Sequence, residues 1–321
     1  MTVAFVSHSD CGTHDTGWNH PEHVGRLRAI TRALHSDPEL FMSVVQLEGR
    51  HATQAELELA HTAGYLRFIQ ALAESGGGQL DAESVVSPGS WDAARAAAGS
   101  VLAAVDAVMA GVADRAFCAV RPPGHHAVAG GGMGFCLVGN VAVAALYARS
   151  TLGLERVLIV DWDVHHGNGT QDIVQHDAGI RFVSMHQWPW YPGSGATLKG
   201  GPLGNVWNIP MAPGLPRQDY LAALENGIVE ATVDWVPQLV LVYAGFDCLA
   251  GDPLGGFTLT VDDVAALTRM VTLRADRWCS GRVVSVLEGG YEPDALGEAA
   301  LVHLRALGEA DVTSREAVPP A

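Results

Sequence analysis

A single lysine, Lys199, occurs in 321 residues, and arginine carries the rest of the 19 positive charges against 35 aspartates and glutamates. The formal net charge of −16 leaves no room for the clustered cations that a nucleic-acid surface needs, so no nucleic-acid partner is expected. An acidic face suits cationic partners or simply solubility, since net charge bears on steering more than on any one site. Cysteine is equally sparse: Cys11, Cys118, Cys136, Cys248 and Cys279 are scattered without a C-x-x-C pair. Neither a disulfide framework nor a thiolate zinc site is indicated, and a reducing cytoplasm is the expected compartment. No run of about 18 uncharged apolar residues is present to span a membrane. No basic region precedes the apolar start MTVAFV, so no signal peptide is expected.

What is abundant is apolar sequence, 48% of the chain, enough for a large core in one domain. Strands are predicted at Val3 to Ser7, Ala116 to Val120, Val157 to Val160, Ile180 to Met185, Val206 to Pro210, Leu239 to Ala244 and Arg282 to Leu287. Helical patterns fall at His23 to Leu34, Gln54 to Glu74, Ser90 to Ala110 with Ser90 as N-cap, Val138 to Arg149, Gln171 to His176, Arg217 to Val233 and Asp262 to Trp278. Such alternation predicts an α/β fold, a mostly parallel sheet with helices on both faces. Residues 1–308 read as a single domain without repeat or linker, and 309–321, ending AVPPA, as a mobile tail.

The chemistry is densest in RVLIVDWDVHHGNGTQD, Arg156 to Asp172. Val157 to Val160 has the continuous apolar character of a strand covered on both faces. Asp161, Asp163 and His165 then alternate at period two, so an extended chain points Asp163 and His165 the same way. A carboxylate and an imidazole on one face suit zinc or another borderline divalent ion, with one further protein ligand and an open position required for catalysis. Asp247, following the buried strand LVLVYA, is well placed to be that third ligand, and Asp252 follows it.

Other strand ends carry matching clusters, as a site built from several strand-following loops requires. Arg121-Pro122-Pro123-Gly124-His125-His126 presents two histidines from a rigid turn, a candidate proton-transfer pair. In Gly130 to Cys136 the glycines, Gly134 among them, allow close backbone approach, Phe135 supplies an apolar wall, and Cys136 is more readily a buried hydrophobe than a nucleophile. The aromatic loop His186 to Gly195 is a substrate rim or a packed surface loop. Tyr291 follows Gly289-Gly290, where a phenol can donate to a developing oxyanion. The N-terminal loop is also rich in imidazole, with His8, His14, His20 and His23 beside Cys11. Those side chains have no regular ligand spacing, so no metal site is expected there.

Taken in order, HPEHVGRL, VSPGSW, RPPGHHA, GMGFC, DWDVHHGNGTQ, AGFDCLAGDP and EGGYEP resemble the zinc-dependent histone deacetylase family, in particular its class II-like bacterial histone deacetylase-like amidohydrolases. The resemblance runs from about His20 to Tyr291. It implies the arginase/deacetylase fold, a three-layer α/β/α sandwich around an eight-stranded, mostly parallel sheet. It implies one catalytic zinc on Asp163, His165 and Asp247, with water completing the coordination. His126 is then the general base, Tyr291 the oxyanion donor, and His125 the electrostatic partner that helps protonate the leaving amine. Asp161 orients His125, and Asn168 stands behind His126 where some members have aspartate and class II members commonly have asparagine. A structural potassium is implied at Asp161, Ser184, the Met185 carbonyl and the main-chain oxygens of Asp163 and His165. Phe135, Gly134 and Tyr191 correspond to the acyl tunnel and Arg26 to its inner cavity, although Val24 and Gly25 depart from the usual sequence before it.

The reading that follows is an amidohydrolase removing acetyl or another short acyl group from an amine, most readily acyl-lysine in a protein or peptide. Acetylpolyamines and small acylated metabolites are the alternative. Leu254 stands where polyamine-selective members can carry glutamate, and leucine offers an ammonium nothing; Asp15 and Asp81 are the acids that could substitute. A binuclear ureohydrolase needs a D-x-H-x-D run and a second acid after Asp247, but Gly167 and Leu249 occupy those positions. A non-catalytic acyl-lysine reader is the third reading, against which Tyr291 speaks. Oligomeric state is left open.

Overall fold

The computed structural model describes residues 1–309. Its strands are β1 (Val3–Ser7), β2 (Val45–Glu48), the short pair β3 (Gly78–Gln79) and β4 (Val85–Val86), β5 (Arg115–Cys118), β6 (Val157–Asp161), β7 (Ile180–Gln187), β8 (Lys199–Gly200), β9 (Val206–Met211), β10 (Leu239–Ala244) and β11 (Val283–Leu287). The main sheet has nine strands in the order β2-β1-β5-β11-β10-β6-β7-β9-β8. Every neighbouring pair is parallel except β8 with β9. The expected eight strands are thus the parallel set, and the count is corrected to nine by a two-residue antiparallel edge too short to leave a sequence pattern.

Strand side chains alternate between two cores. Val157 and Ile159 of β6 enter one with the helices Ala63–Glu74, Ser90–Met109 and Asn140–Ser150. Leu158 and Val160 enter the other with Gly25–His35, Arg217–Thr232, Val261–Cys279 and Pro293–Gly308. Each such aliphatic side chain contributes about 1.5–3 kcal/mol on full burial. Two covered faces explain why the strands read as unbroken apolar runs.

Local chemistry changed several boundaries. The span predicted as one helix from Gln54 is two, Gln54–Leu57 and Ala63–Glu74, because Thr62 caps a new start by accepting the Tyr65 N–H at 3.3 Å. Ser90 is the first helical residue and Gly89 the N-cap. The Ser90 hydroxyl is spent on His14 Nδ1 at 2.7 Å and on the Ser87 N–H at 2.7 Å. Besides the two-residue strands β3, β4 and β8 and the turn Ser9–Gly12, three elements went unread: the exposed edge strand β2, the helix Pro38–Ser43, and Pro293–Gly308, whose cap Glu292 accepts the Ala295 N–H at 2.7 Å. Of the expected tail only Glu309 is described, and Arg269 holds its carboxylate at 2.6 and 2.7 Å; 310–321 lie outside the described residues. All five cysteines are free and buried. No helix among the described residues is long and apolar enough to cross a membrane.

Candidate active site

Four strands adjacent in the sheet, β5, β11, β10 and β6, deliver the clusters read from the sequence to one place. Beyond β6 the chain leaves the ladder after Asp161, yet Asp163 and His165 still meet. Asp163 Oδ1 accepts the His165 N–H at 2.9 Å and lies 3.0 Å from His165 Nδ1. Asp247, from the end of β10, accepts the Val164 N–H on Oδ1 at 3.0 Å. Its Oδ2 lies 3.2 Å from His165 Nδ1 but is buried without a hydrogen-bond partner. Ligand atoms of the three residues fall within 4.8 Å of one another.

This trio fits a divalent cation. Gly289, after β11, donates its N–H to Asp163 Oδ2 at 2.8 Å, and a Cβ there would stand 2.0 Å from Asp247 Oδ2. Only glycine lets this loop close over the carboxylates. Burial opposes charge on His165, but the Asp163 hydrogen bond and the nearby carboxylates of Asp163 and Asp247 hold it up at about 10. Burial and Asp163 raise Asp247. The orphaned Asp247 oxygen, the Asp163 carboxylate and the His165 imidazole together suit zinc.

The paired histidines are pushed to opposite states. His125 Nδ1 bonds Asp161 Oδ2 at 3.0 Å, and its ring sits 4.0 Å from that of His126. Burial works against the charge on His125, but Asp163, Asp161 and Glu288 outweigh it and hold it at about 10. Burial, then the charges of His125 and His165, take His126 well below the ordinary imidazole range. His126 Nδ1 lies 2.7 Å from Asn168 Oδ1. Since that oxygen can only accept, Nδ1 carries the proton and Nε2 is left as the acceptor.

His126, His165 and Tyr291 line the inner part of a cavity of about 190 Å³, walled by Phe135, Gly134, Tyr191 and Leu254, with Trp190 and Glu83 toward solvent. Gly134 has φ +55, and a Cβ there would meet His126 Cδ2 at 2.4 Å. The glycine lets this wall come up against the imidazole. Burial raises the Tyr291 phenol well above its ordinary range, so it stays a hydrogen-bond donor. Burial and then Glu288 do the same to the Cys136 thiol, an inert buried group.

Not every expected residue reaches the cavity. Arg26 is fully buried beneath Tyr291, 4.9 Å from its ring centroid. Its Nε donates to the Gly290 carbonyl at 2.7 Å and Nη1 to Glu22 at 3.1 Å, and Nη2 also bonds the Glu288 carbonyl. It props the tyrosine loop and is not among the cavity-lining residues. Ser184 is the register partner of Asp161 across β6 and β7; its hydroxyl bonds His186 Nδ1 at 3.1 Å, and Met185 is fully buried. Asp15 is absent from the cavity lining and donates no contact to it. Asp81 instead accepts the N–H groups of Glu83 and Ser84 at 2.9 and 2.6 Å, shaping the rim.

Two buried acids beneath the site went unread. Glu288 accepts the Gly124 and His125 N–H groups at 2.6 and 2.7 Å, anchoring the histidine loop to β11. Glu22 chelates Arg121 at 2.6 and 2.8 Å in the interior. Their signal was an acid inside an apolar or aromatic motif, in VLEGGY and HPEH. Partners a hundred residues away gave no local cue.

A family model described as the histone deacetylase domain matches residues 20–307. The chain belongs to the histone deacetylase family. It is 42% identical over 244 residues to the histone deacetylase-like amidohydrolase of Pseudomonas aeruginosa, across 75% of this chain and 64% of that protein. With the polyamine deacetylase HDAC10 of Homo sapiens it shares 35% over 325 residues, 96% of this chain but 48% of that one. The crystal structure of the HDA15 HD domain superposes with a TM-score of 0.90 at 32% identity, over 98% of this chain and 91% of that one. The fold is thus the α/β arginase/deacetylase fold. As a histone deacetylase family member the chain is a hydrolase of amide bonds, and its metal trio matches the family's general zinc dependence.

Proposed function

We propose that this family member removes acetyl or another short acyl group from an amine, with acyl-lysine in a protein or peptide as the leading substrate. The observation that carries this is the convergence of Asp163, His165 and Asp247 with a neutral His126 and the Tyr291 phenol at the inner end of one apolar cavity. Zinc held by the trio would polarise the acyl carbonyl and acidify an attacking water. His126 Nε2 takes the proton of that water as its oxygen adds to the acyl carbon. Tyr291 donates to the resulting oxyanion, and charged His125 favours negative charge building beside it. The C–N bond then breaks, and the nitrogen leaves as amine with a proton delivered from the histidine pair. Asp161 and Asn168 fix the two ring orientations through Nδ1.

Phe135, Tyr191 and Leu254 are apolar walls for a methylene stem. A second reading, an acylated polyamine or small amine, is favoured by Glu83, the one carboxylate among the described residues that lines the outer cavity, and by the likeness to a protein named polyamine deacetylase. A structural potassium at Asp161, Ser184 and the carbonyls of Asp163, His165 and Met185, a single catalytic unit over 1–308, and a cytoplasmic setting complete the proposal. The test is kcat/KM on acetyl-lysine peptide, longer acyl-lysines and N-acetylated polyamines, before and after metal removal. Full activity after exhaustive chelation refutes the zinc assignment; preference for the polyamine moves the substrate to the second reading.

A further inference from the structure

The N-terminal histidines, discounted for want of regular spacing, gain a ligand-type neighbour from another strand. β1 and β2 run parallel with Ser7 opposite Glu48. The chain leaving β1 carries His8 and Asp10, and the chain leaving β2 carries His51. Asp10 Oδ2 lies 2.7 Å from His51 Nε2 and 3.9 Å from His8 Nδ1, and the two rings stand 4.9 Å apart. Ligand atoms of all three fall within 4.8 Å of one another, and all three residues are half-buried. Arg50, next to His51, is committed to Glu56 at 2.6 and 2.9 Å.

We propose that His8, Asp10 and His51 form a second site for a borderline divalent cation, separate from the Asp163, His165 and Asp247 trio. Two imidazoles and one carboxylate are a donor set for zinc and its neighbours. Ligand atoms about 2.1 Å from a tetrahedral ion stand about 3.4 Å apart, and the observed 2.7 and 3.9 Å bracket that spacing. His8 Nδ1 accepts the Asp10 N–H at 3.1 Å, so that nitrogen is deprotonated, as a metal ligand must be. Binding exchanges this hydrogen bond for a coordinate bond and displaces the proton between His51 and Asp10. His8 also lines a surface cavity, so water can reach the site to complete the coordination.

Such an ion clips the short helical turn Ser9–Gly12 to the sheet edge. The Cys11 and His14 carbonyls in and after that turn accept from Arg121 at 3.3 and 2.9 Å. Arg121 opens the loop that ends in His125 and His126, so the clip braces ground on which the histidine pair stands. The proposal is independent of the reaction assigned to the cavity.

Metal-stripped protein is titrated with zinc, and bound metal is counted after dialysis, in the wild type and in His51→Ala and Asp10→Asn. Each variant is expected to bind one zinc equivalent fewer than the wild type. In an Asp247→Ala background, adding His51→Ala should remove the equivalent that remains. Zinc should raise the Tm of the Asp247→Ala protein but not of the double variant. An equal zinc count in wild type and both single variants overturns the site, as does an additional equivalent that survives both substitutions. Circular dichroism checks folding; should His51→Ala fail to fold, the near-isosteric Asp10→Asn decides the count.

Discussion

His126 Nδ1 bonds the carboxamide oxygen of Asn168 at 2.7 Å, and this contact fixes the tautomer of one histidine in an adjacent pair. An amide fixes the tautomer without adding charge, whereas Asp161 gives His125 an anionic partner at 3.0 Å. Asn168→Asp should therefore raise the His126 pKa. A base must be neutral, so the acid limb of the kcat/KM profile should move to higher pH, by about 1 unit or more for a carboxylate at this distance. An unmoved acid limb would show that His126 is not the titrating base.

Tyr291→Phe removes a donor while leaving the trio intact. Metal content should be unchanged and kcat should fall by about 10²–10³. Metal analysis beside single-turnover rates checks both halves, and an unchanged rate would sink the oxyanion role.

Asp247→Ala deletes the ligand whose Oδ2 is orphaned in the protein interior. The zinc that supports turnover and the turnover itself should vanish together, and excess zinc should not restore them. Retained activity would place catalysis elsewhere.

Glu83 holds its place because its carbonyl accepts from His20 Nε2 at 3.0 Å and the adjacent Ser84 hydroxyl accepts the Phe135 N–H at 3.0 Å. If it pairs with a distal ammonium, Glu83→Gln should raise KM for an acylated diamine by about 1.4- to 5-fold, the range of an exposed ion pair. The effect should shrink in high salt. A neutral-tailed acylamide should respond less, and equal responses would remove Glu83 from substrate recognition.

Glu22 is buried against Arg121 and Arg26, whose charges outweigh desolvation and hold its carboxyl down at about 2 against an ordinary 4.5. A depressed carboxylate contributes stability above its unfolded pKa and loses it as pH falls toward the folded one. Acid unfolding should draw on about 3 kcal/mol from this group between roughly pH 4.5 and pH 2. Glu22→Gln should flatten that stretch of the stability curve while costing about 3–5 kcal/mol at neutral pH, because two buried guanidiniums lose their counter-ion. Urea unfolding midpoints measured across pH test it.

The sequence by itself determined the strands of the covered sheet and the chemistry at their ends. Runs such as Val157 to Val160 and Leu239 to Ala244 are apolar on both faces, and DWDVHHGNGTQ and EGGYEP announce their donors in consecutive residues. β2 escaped because an exposed edge strand needs no apolar run. Only the tertiary structure decided which donors meet. Parallel order beside β10 brings Gly289 onto Asp163, and Glu288 under the histidine loop, across more than a hundred residues. The same holds for Glu22 with Arg121, for Arg26 beneath Tyr291 rather than in the cavity, and for His51 beside Asp10. Spacing along a chain reports one element's periodicity, whereas these contacts depend on which strands lie side by side, a choice made by packing whole layers.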